Sequence, residues 1–440
     1  MITVLLDKAE FEYDIHSLVK AFYPKEEVYV STKDKEKKEE PVHYHMDVQF
    51  APEEIIFFWK KVEPSEENEN QTGITKRVAV DYTNRKETKN SLKRTLYRLL
   101  SEYTGVELPW GNLTGIRPTK IPMALLEEGK SEEEIAHYMK ETYFTSDEKI
   151  KLSIEIAERE LQLLKKLDYE EGYSLYIGIP FCPTTCLYCS FTSYSLAAWK
   201  NRMDEYLDAL EKELDYTAVK FAHKKLNSIY IGGGTPTTLN PQQLDRLIRK
   251  IKCSFDLSHL VEFTVEAGRP DSITKEKLMV LRNHDISRIS INPQTMKQET
   301  LDLIGRHHTV QQTIDSFNLA RELGFDNINM DLIVGLPGES LSDVADTMEV
   351  IRKLAPDNLT VHSLAIKRAA RLNIQRERYQ DFEIVNTADH IALTSKVAEE
   401  MGLFPYYLYR QKNMAGNFEN VGYAAPGKAG VYNVLIMEEK

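Results

Sequence analysis

Residues 174–194 read SLYIGIPFCPTTCLYCSFTSY, a short apolar run followed at once by three cysteines spaced C-x3-C-x2-C. Three of the chain's four cysteines fall in this stretch. Thiolates at Cys182, Cys186 and Cys189 on one tight loop can close on a single inorganic centre, and three soft sulfur ligands suit an iron–sulfur cluster. A four-iron cluster takes four ligands, so three protein thiolates leave one iron open to a substrate or cofactor. A structural zinc site needs a fourth nitrogen or sulfur ligand, and residues 173–221 contain no histidine and no further cysteine. A disulfide framework does not suit a 440-residue chain with four cysteines. Nor do three cysteines among prolines and threonines read as ordinary core residues.

Outward from this loop the chain alternates strands and helices. Residues 173–179 form the first expected strand, followed by the cysteine loop and a helix through 199–221. Residues 226–231 form the next, followed by Gly232 and a helix near 242–251. Strands at 261–266, 286–291, 328–334 and 359–366 continue the series. About six parallel strands joined by helices predict an α/β fold, an incomplete (β/α)6 version of the TIM barrel, with chemistry at the carboxyl ends of the strands. IGGGTPT at 231–237 lets a ligand approach bare backbone, and it lacks the GK[ST] ending of a phosphate loop. Glu266 closes the third strand, where a carboxylate can accept from the two hydroxyls of a ribose or simply face solvent.

At these residues the chain resembles the radical S-adenosylmethionine (SAM) superfamily, whose C-x3-C-x2-C loop has an aromatic before its last cysteine, here Tyr188. More narrowly, YIGIPFC resembles the YIHIPFC of oxygen-independent coproporphyrinogen III dehydrogenases and the related haem chaperones, in a HemZ-like branch. The resemblance covers about residues 173–423. It implies a [4Fe-4S] cluster on Cys182, Cys186 and Cys189, and SAM against Tyr176, Tyr188, Gly233, Gly234, Thr235 and Glu266. It also implies a second SAM near Gln294 in INPQT, Arg306 in IGRHHT, Asp331 in NMDLIVGLPGE and Ala365 in VHSLAI. The implied reaction is oxidative decarboxylation of coproporphyrinogen III to protoporphyrinogen IX without oxygen, fed by an electron donor such as flavodoxin or ferredoxin. A haem-carrying chaperone and a radical SAM enzyme acting on RNA are the alternatives. Two departures bear on the choice: Gly178 stands where the family has histidine, and residues 417–423, NFENVGY, only approximate an HNxxYW-like signature.

Lys367, Arg368 and Arg371, just past the last strand, read as holders of substrate carboxylates or as a solvated patch. His307 and His308 adjoin Arg306, and paired histidines without a cysteine partner do not make a haem site. LPGES at 336–340 reads as a turn into a helix.

Residues 1–167 read as a separate α+β domain, residues 168–375 as the barrel and 376–440 as a helical and strand extension. In the first domain, strands at 2–6 and 28–30 flank a helix at 14–22, and 34–41 reads as a solvated loop. Strands at 42–50, 55–62 and 76–82, with a loop at 63–73, predict an antiparallel sheet. Leu92, Leu96, Leu99 and Leu100 predict a helix over 90–103 capped by Asn90 or Ser91. Helices follow from Ser131 and over 147–167. His43 and His45 share a strand face and read as structural rather than metal-binding. The basic residues of 76–98 read as a solvated helix face, with RNA or an acidic partner as the alternative. No function follows for the turns at 110–118. Residues 431–440, VYNVLIMEEK, read as a strand with no closing element, which predicts an incomplete chain.

A net charge of −12 argues against a general nucleic-acid binder or an anionic-membrane protein. The first residues, MITVLLDKAEFEYD, lack the basic start of a secretory signal, and no apolar run approaches membrane-spanning length. These features predict a cytoplasmic protein in a reducing compartment.

Overall fold

The computed structural model describes residues 1–32, 41–62, 73–191, 193–379, 381–411 and 414–440. The expected loops at 34–41 and 63–73 lie outside the described residues, apart from Pro41 and Gly73. The chain divides into two compact units, Met1–Pro118 with Ala124–Ile154, and Thr119–Met123 with Glu155–Lys440.

The first unit contains strands β1 (Ile2–Leu6), β2 (Val28–Thr32), β3 (Tyr44–Phe50), β4 (Glu54–Lys61) and β5 (Ile74–Ala79), in the order β2-β1-β3-β4-β5. Its helices are α1 (Glu12–Phe22), α2 (Arg85–Thr104), α3 (Lys120–Glu127, shared with the second unit), α4 (Glu132–Tyr143) and the start of α5 (Asp147–Leu164). The sheet is mixed and not antiparallel throughout. β1 runs parallel to β2 and β3, and only β3-β4-β5 alternate. α1 is the helical crossover that sets β2 parallel to β1, and β3 then runs in the same direction on the other side of β1. Ile15, Leu18, Val19 and Phe22 form the buried stripe of α1 at helical spacing. Helix α2 starts earlier than expected, with Asn84 as its cap accepting from the Glu87 amide at 3.1 Å. The charged residues that follow Asn84 are good helix formers and extend the helix toward its amino end.

The two histidines of the β3 region are engaged separately. His43 Nδ1 lies 3.0 Å from Glu26, and His45 bridges Thr3 and Asp47. In the basic segment, Lys76, Arg77, Lys89 and Arg94 pair with Glu102, Glu54, Asp14 and Glu87. Trp110 is fully buried, and Asn112 bonds the Thr142 and Tyr143 carbonyls, which gives the 110–118 turns a packing role.

The second unit contains β6 (Gly172–Ile179), β7 (Phe181–Cys182), β8 (Tyr194–Ser195), β9 (Lys225–Gly233), β10 (Glu262–Gly268), β11 (Arg288–Ile291), β12 (Ile328–Val334), β13 (Asn358–Ser363), β14 (Phe404–Tyr409) and β15 (Asn420–Ala424). Eight of these form one sheet, β14-β15-β13-β12-β11-β10-β9-β6. From β6 to β13 every pairing is parallel, and β15 and β14 then add antiparallel. Between them run α6 (Leu196–Trp199), α7 (Met203–Lys220), α8 (Pro241–Ser254), α9 (Lys275–Asn283), α10 (Gln298–Leu303), α11 (Val310–Glu322), α12 (Leu341–Leu354), α13 (Arg371–Ile374) and α14 (Ala388–Glu400). The six parallel strands are the expected incomplete barrel. LPGES turns into α12 with Ser340 as its cap.

Residues 431–440 are not a strand. Val431–Glu438 form a helix, α15, whose first amides donate to the carboxylate of Glu262 at 2.6 and 3.3 Å. An apolar run this short fits either period. Here a carboxylate at the helix amino end, which satisfies its free N–H groups, decides the matter. Glu262 is the first residue of β10, so α15 lies at the amino end of the barrel, opposite the cysteine loop. Among the described residues no helix is long and apolar enough to cross a membrane.

Candidate functional site

The cysteine loop is gripped from two sides. At its base, β7 and β8 pair and the Tyr194 amide donates to the Pro180 carbonyl at 2.7 Å. The glycine turn after β9 then passes directly beneath. Gly233 has φ 105°, and a Cβ on Gly234 would stand 2.9 Å from Cys182 Sγ and 2.8 Å from the Phe181 carbonyl. Only glycine permits this approach. Thr235 Oγ1 reaches Cys182 Sγ at 3.6 Å. Across the loop, Thr184 Oγ1 donates to the Gly305 carbonyl at 2.8 Å, the Leu187 amide to Ile304 at 2.9 Å, and Arg371 to the Thr185 carbonyl at 3.2 Å.

Burial pushes the thiols of Cys182 and Cys189 up, and each feels the charge of Cys186. The three sulfurs are therefore neighbours. Three soft thiolates on one loop suit an iron–sulfur cluster. The fourth cysteine, Cys253, is exposed on α8.

Glu266 stands at the carboxyl end of β10. Its side chain opens onto a cavity, but the surrounding protein still desolvates it. That desolvation pushes its carboxyl up to about 7, with the nearby Asp331 adding to the shift and the Tyr230 hydroxyl and Arg288 opposing it. Tyr230 OH donates to Glu266 Oε1 at 2.5 Å. Tyr230 packs against Tyr432 of α15, at 4.5 Å, and Tyr176 of β6, at 6.0 Å, and those two rings lie 6.1 Å from each other, so the three form a triangle. Burial works against the Asp331 carboxylate, but His362, Asn329 and Arg288 outweigh it and hold Asp331 below the usual range. The Gln294 amide donates to the Asp331 carbonyl at 2.9 Å, and Gln294 takes φ 68° to do so, a conformation that costs a non-glycine residue roughly 1–3 kcal/mol.

One cavity of about 550 Å³ is lined by all the residues expected to meet cluster or cofactor: the three cysteines, Tyr176, Tyr188, Gly233, Gly234, Thr235, Glu266, Gln294, Arg306, Asp331 and Ala365. Of the three expected cations only Lys367 lines it, with its ammonium 5.6 Å over the Phe191 ring. Arg368 and Arg371 are exposed. His308 is fully buried and its imidazole is pushed down to about 4, first by burial and then by Arg306, so it stays neutral outside the cavity. A Cβ on Gly178 would meet only the Tyr176 ring, at 3.5 Å. The departure from histidine there leaves room unfilled.

The wall also contains residues that sequence reasoning passed over: Arg269, His362, Tyr409 and Asn420. Tyr409 OH lies 3.3 Å from His362 Nδ1, and His362 Nε2 lies 3.9 Å from Asp331. Two signals were available. Arg269 follows Glu266 by three positions in EAGRPD, and Asn420 lies inside NFENVGY.

A cysteine loop and a glycine turn at the carboxyl ends of a parallel half-barrel define a radical SAM protein, and the profile of the Radical SAM superfamily matches residues 176–351. The superfamily's cofactors, a [4Fe-4S] cluster and SAM, are those of this chain. More particularly, the chain belongs to the family of the oxygen-independent coproporphyrinogen-III oxidase-like protein HemZ of Bacillus subtilis, to which it is 43% identical over 379 residues, 84% of this chain and 76% of that protein. It is 41% identical over 198 residues to the haem chaperone HemW of the same organism, covering 44% of this chain and 51% of the chaperone. Among solved structures it is similar to coproporphyrinogen III oxidase (HemN) from Escherichia coli, at 27% identity and TM-score 0.49, over 60% of this chain and 58% of that one.

Proposed function

We propose that this protein oxidatively decarboxylates coproporphyrinogen III to protoporphyrinogen IX without oxygen, in the cytoplasm, with a reduced flavodoxin or ferredoxin as electron donor. The supporting observation is the single cavity in which Gln294, Arg306, Asp331 and Ala365 join the cysteine loop and Glu266. When bound, the reduced cluster and SAM supply a radical that takes a hydrogen atom from a substrate propionate side chain.

The chain's own residues do the placing. Cys182, Cys186 and Cys189 would hold the cluster and, being three, would leave one of its irons open to SAM. Glu266 accepts from the ribose hydroxyls, and the bare backbone at Gly233 and Gly234 lets the cofactor lie against β9. Gln294, Arg306, Asp331 and Ala365 form the wall for a second SAM. Lys367 is the cation available to a substrate carboxylate. Tyr176 and Tyr188 line the same cavity and contact the cofactor.

The second reading is a haem chaperone, favoured by the similarity to HemW. Anaerobically reconstituted protein, supplied with coproporphyrinogen III, SAM and a low-potential reductant, tests the choice. Protoporphyrinogen IX with matching 5′-deoxyadenosine supports the decarboxylase. Stoichiometric haem binding without porphyrin product overturns it in favour of the chaperone.

A further inference from the structure

Arg269 is one of the most deeply enclosed cations of the cavity wall, with 3% of its surface exposed. Its Nη1 donates to the carbonyl and hydroxyl of Thr184 at 3.0 and 2.8 Å and lies 4.0 Å from Cys186 Sγ. The other edge of the guanidinium forms a two-pronged pair with Asp271, at 3.0 Å from Nε and 2.6 Å from Nη2. A cation fixed on both edges cannot swing away.

Local sequence explains the aim. The register of β10 breaks between Glu266 and Gly268, and Gly268 takes φ 50°. That bulge redirects the chain from the strand toward the cysteine loop. Pro270 then opens a 3-10 turn, whose Ser272 amide and hydroxyl both donate to the Arg269 carbonyl, while Ser272 Oγ meets Thr237 Oγ1 at 2.6 Å. The turn that carries Arg269 is thus tied to the glycine turn under Cys182.

We propose that Arg269 is a positioning residue that sets the reduction potential of the cluster, with Asp271 as its counterweight. The inference rests on the three cysteines holding a [4Fe-4S] cluster. One-electron reduction by a low-potential donor adds one negative charge to the cluster and its thiolates. A buried positive charge at Cys186 stabilises that product more than the oxidised form, because little water is present to screen it. Asp271 stands on the far edge of the guanidinium and offsets part of the effect. The pair therefore raises the potential by less than an unpaired arginine would. A loop clip with no electrostatic role would instead affect only how firmly the cluster is held.

The experiment is a redox titration of the reconstituted full-length protein followed by electron paramagnetic resonance, without SAM, with iron and sulfide content measured on each variant. Iron and sulfide in the unmutated protein check the cluster assignment separately. Arg269→Gln keeps a donor for Thr184 but removes the charge, and it is expected to give about tenfold less reduced cluster at a fixed ambient potential, about 59 mV downward for a one-electron couple. Asp271→Asn keeps the arginine and is expected to shift the potential upward. Arg269→Lys keeps the charge and stays within half the Arg269→Gln shift. If Arg269→Gln does not load, the direction of the Asp271→Asn shift decides alone. Unchanged or lowered potential in Asp271→Asn, or unchanged potential in a loaded Arg269→Gln, overturns the proposal.

Discussion

Tyr230 and Glu266 face each other across adjacent parallel strands, with the tyrosine hydroxyl donating to the carboxylate at 2.5 Å. The donor fixes the acid in place while the enclosing protein raises its pKa to about 7. Glu266 therefore changes charge within the pH range in which the protein can be studied.

The first prediction follows from that change. Ribose hydroxyls donate best to a charged carboxylate, so SAM affinity should rise as pH increases through about 7. Glu266→Gln should show no such rise, and Glu266→Ala should weaken SAM roughly ten- to a hundred-fold while keeping the cluster. For stability the sign is opposite. A folded pKa raised from 4.5 to about 7 favours the folded state at acid pH, and this advantage is lost as pH rises through the folded value. Calorimetric titration of SAM and thermal melts between pH 5 and pH 9 check both parts.

Tyr432 backs Tyr230 from α15. Tyr432→Ala removes a buried ring and should lower unfolding free energy by about 3 kcal/mol. It should also weaken SAM several-fold, because Tyr230 loses the surface that holds its hydroxyl on Glu266. Iron content should hold. A melt together with a SAM titration tests this; full SAM affinity in the destabilised variant would uncouple α15 from the site.

Cluster loading depends on the glycine turn as much as on the thiols. Gly234→Ala forces a Cβ to within 2.9 Å of Cys182 Sγ and should abolish iron and sulfide binding much as Cys186→Ala does. Cys253→Ala, on the exposed face of α8, should load fully. Gly178→Ala meets only ordinary contact at 3.5 Å and should also load. Iron and sulfide analysis ranks all four.

Asp331→Ala separates cofactor cleavage from substrate turnover. Its carbonyl holds Gln294 through the backbone, which survives the substitution, whereas the side chain facing His362 is lost. Deoxyadenosine formation should persist while vinyl product falls at least tenfold. Joint measurement of both products decides whether Asp331 serves the substrate side of the cavity.

Much of this arrangement was legible because its signals are local. Three cysteines in eight positions, three glycines at a strand end and the change from strand to helix period each need only a short window. Other features depend on partners far away in sequence. The parallel pairing of β1 with β2 arises from the α1 crossover, and α15 is a helix because Glu262, about 170 residues earlier, caps it. Asn84 was hidden because the charged start of α2 carries no apolar stripe. Arg269 was passed over because only the bulge after Glu266, a feature of strand pairing, turns it inward.

The position of α15 also orders events during synthesis. Residues 431–438 leave the ribosome after every strand of the sheet, so a nascent barrel presents its cysteine loop and glycine turn while its amino end still lacks a floor. At that stage Tyr230 packs against Tyr176 but still lacks Tyr432. A chain truncated before Gly430 should therefore accept iron and sulfide yet hold SAM poorly, so that metal loading and cofactor capture become separable steps.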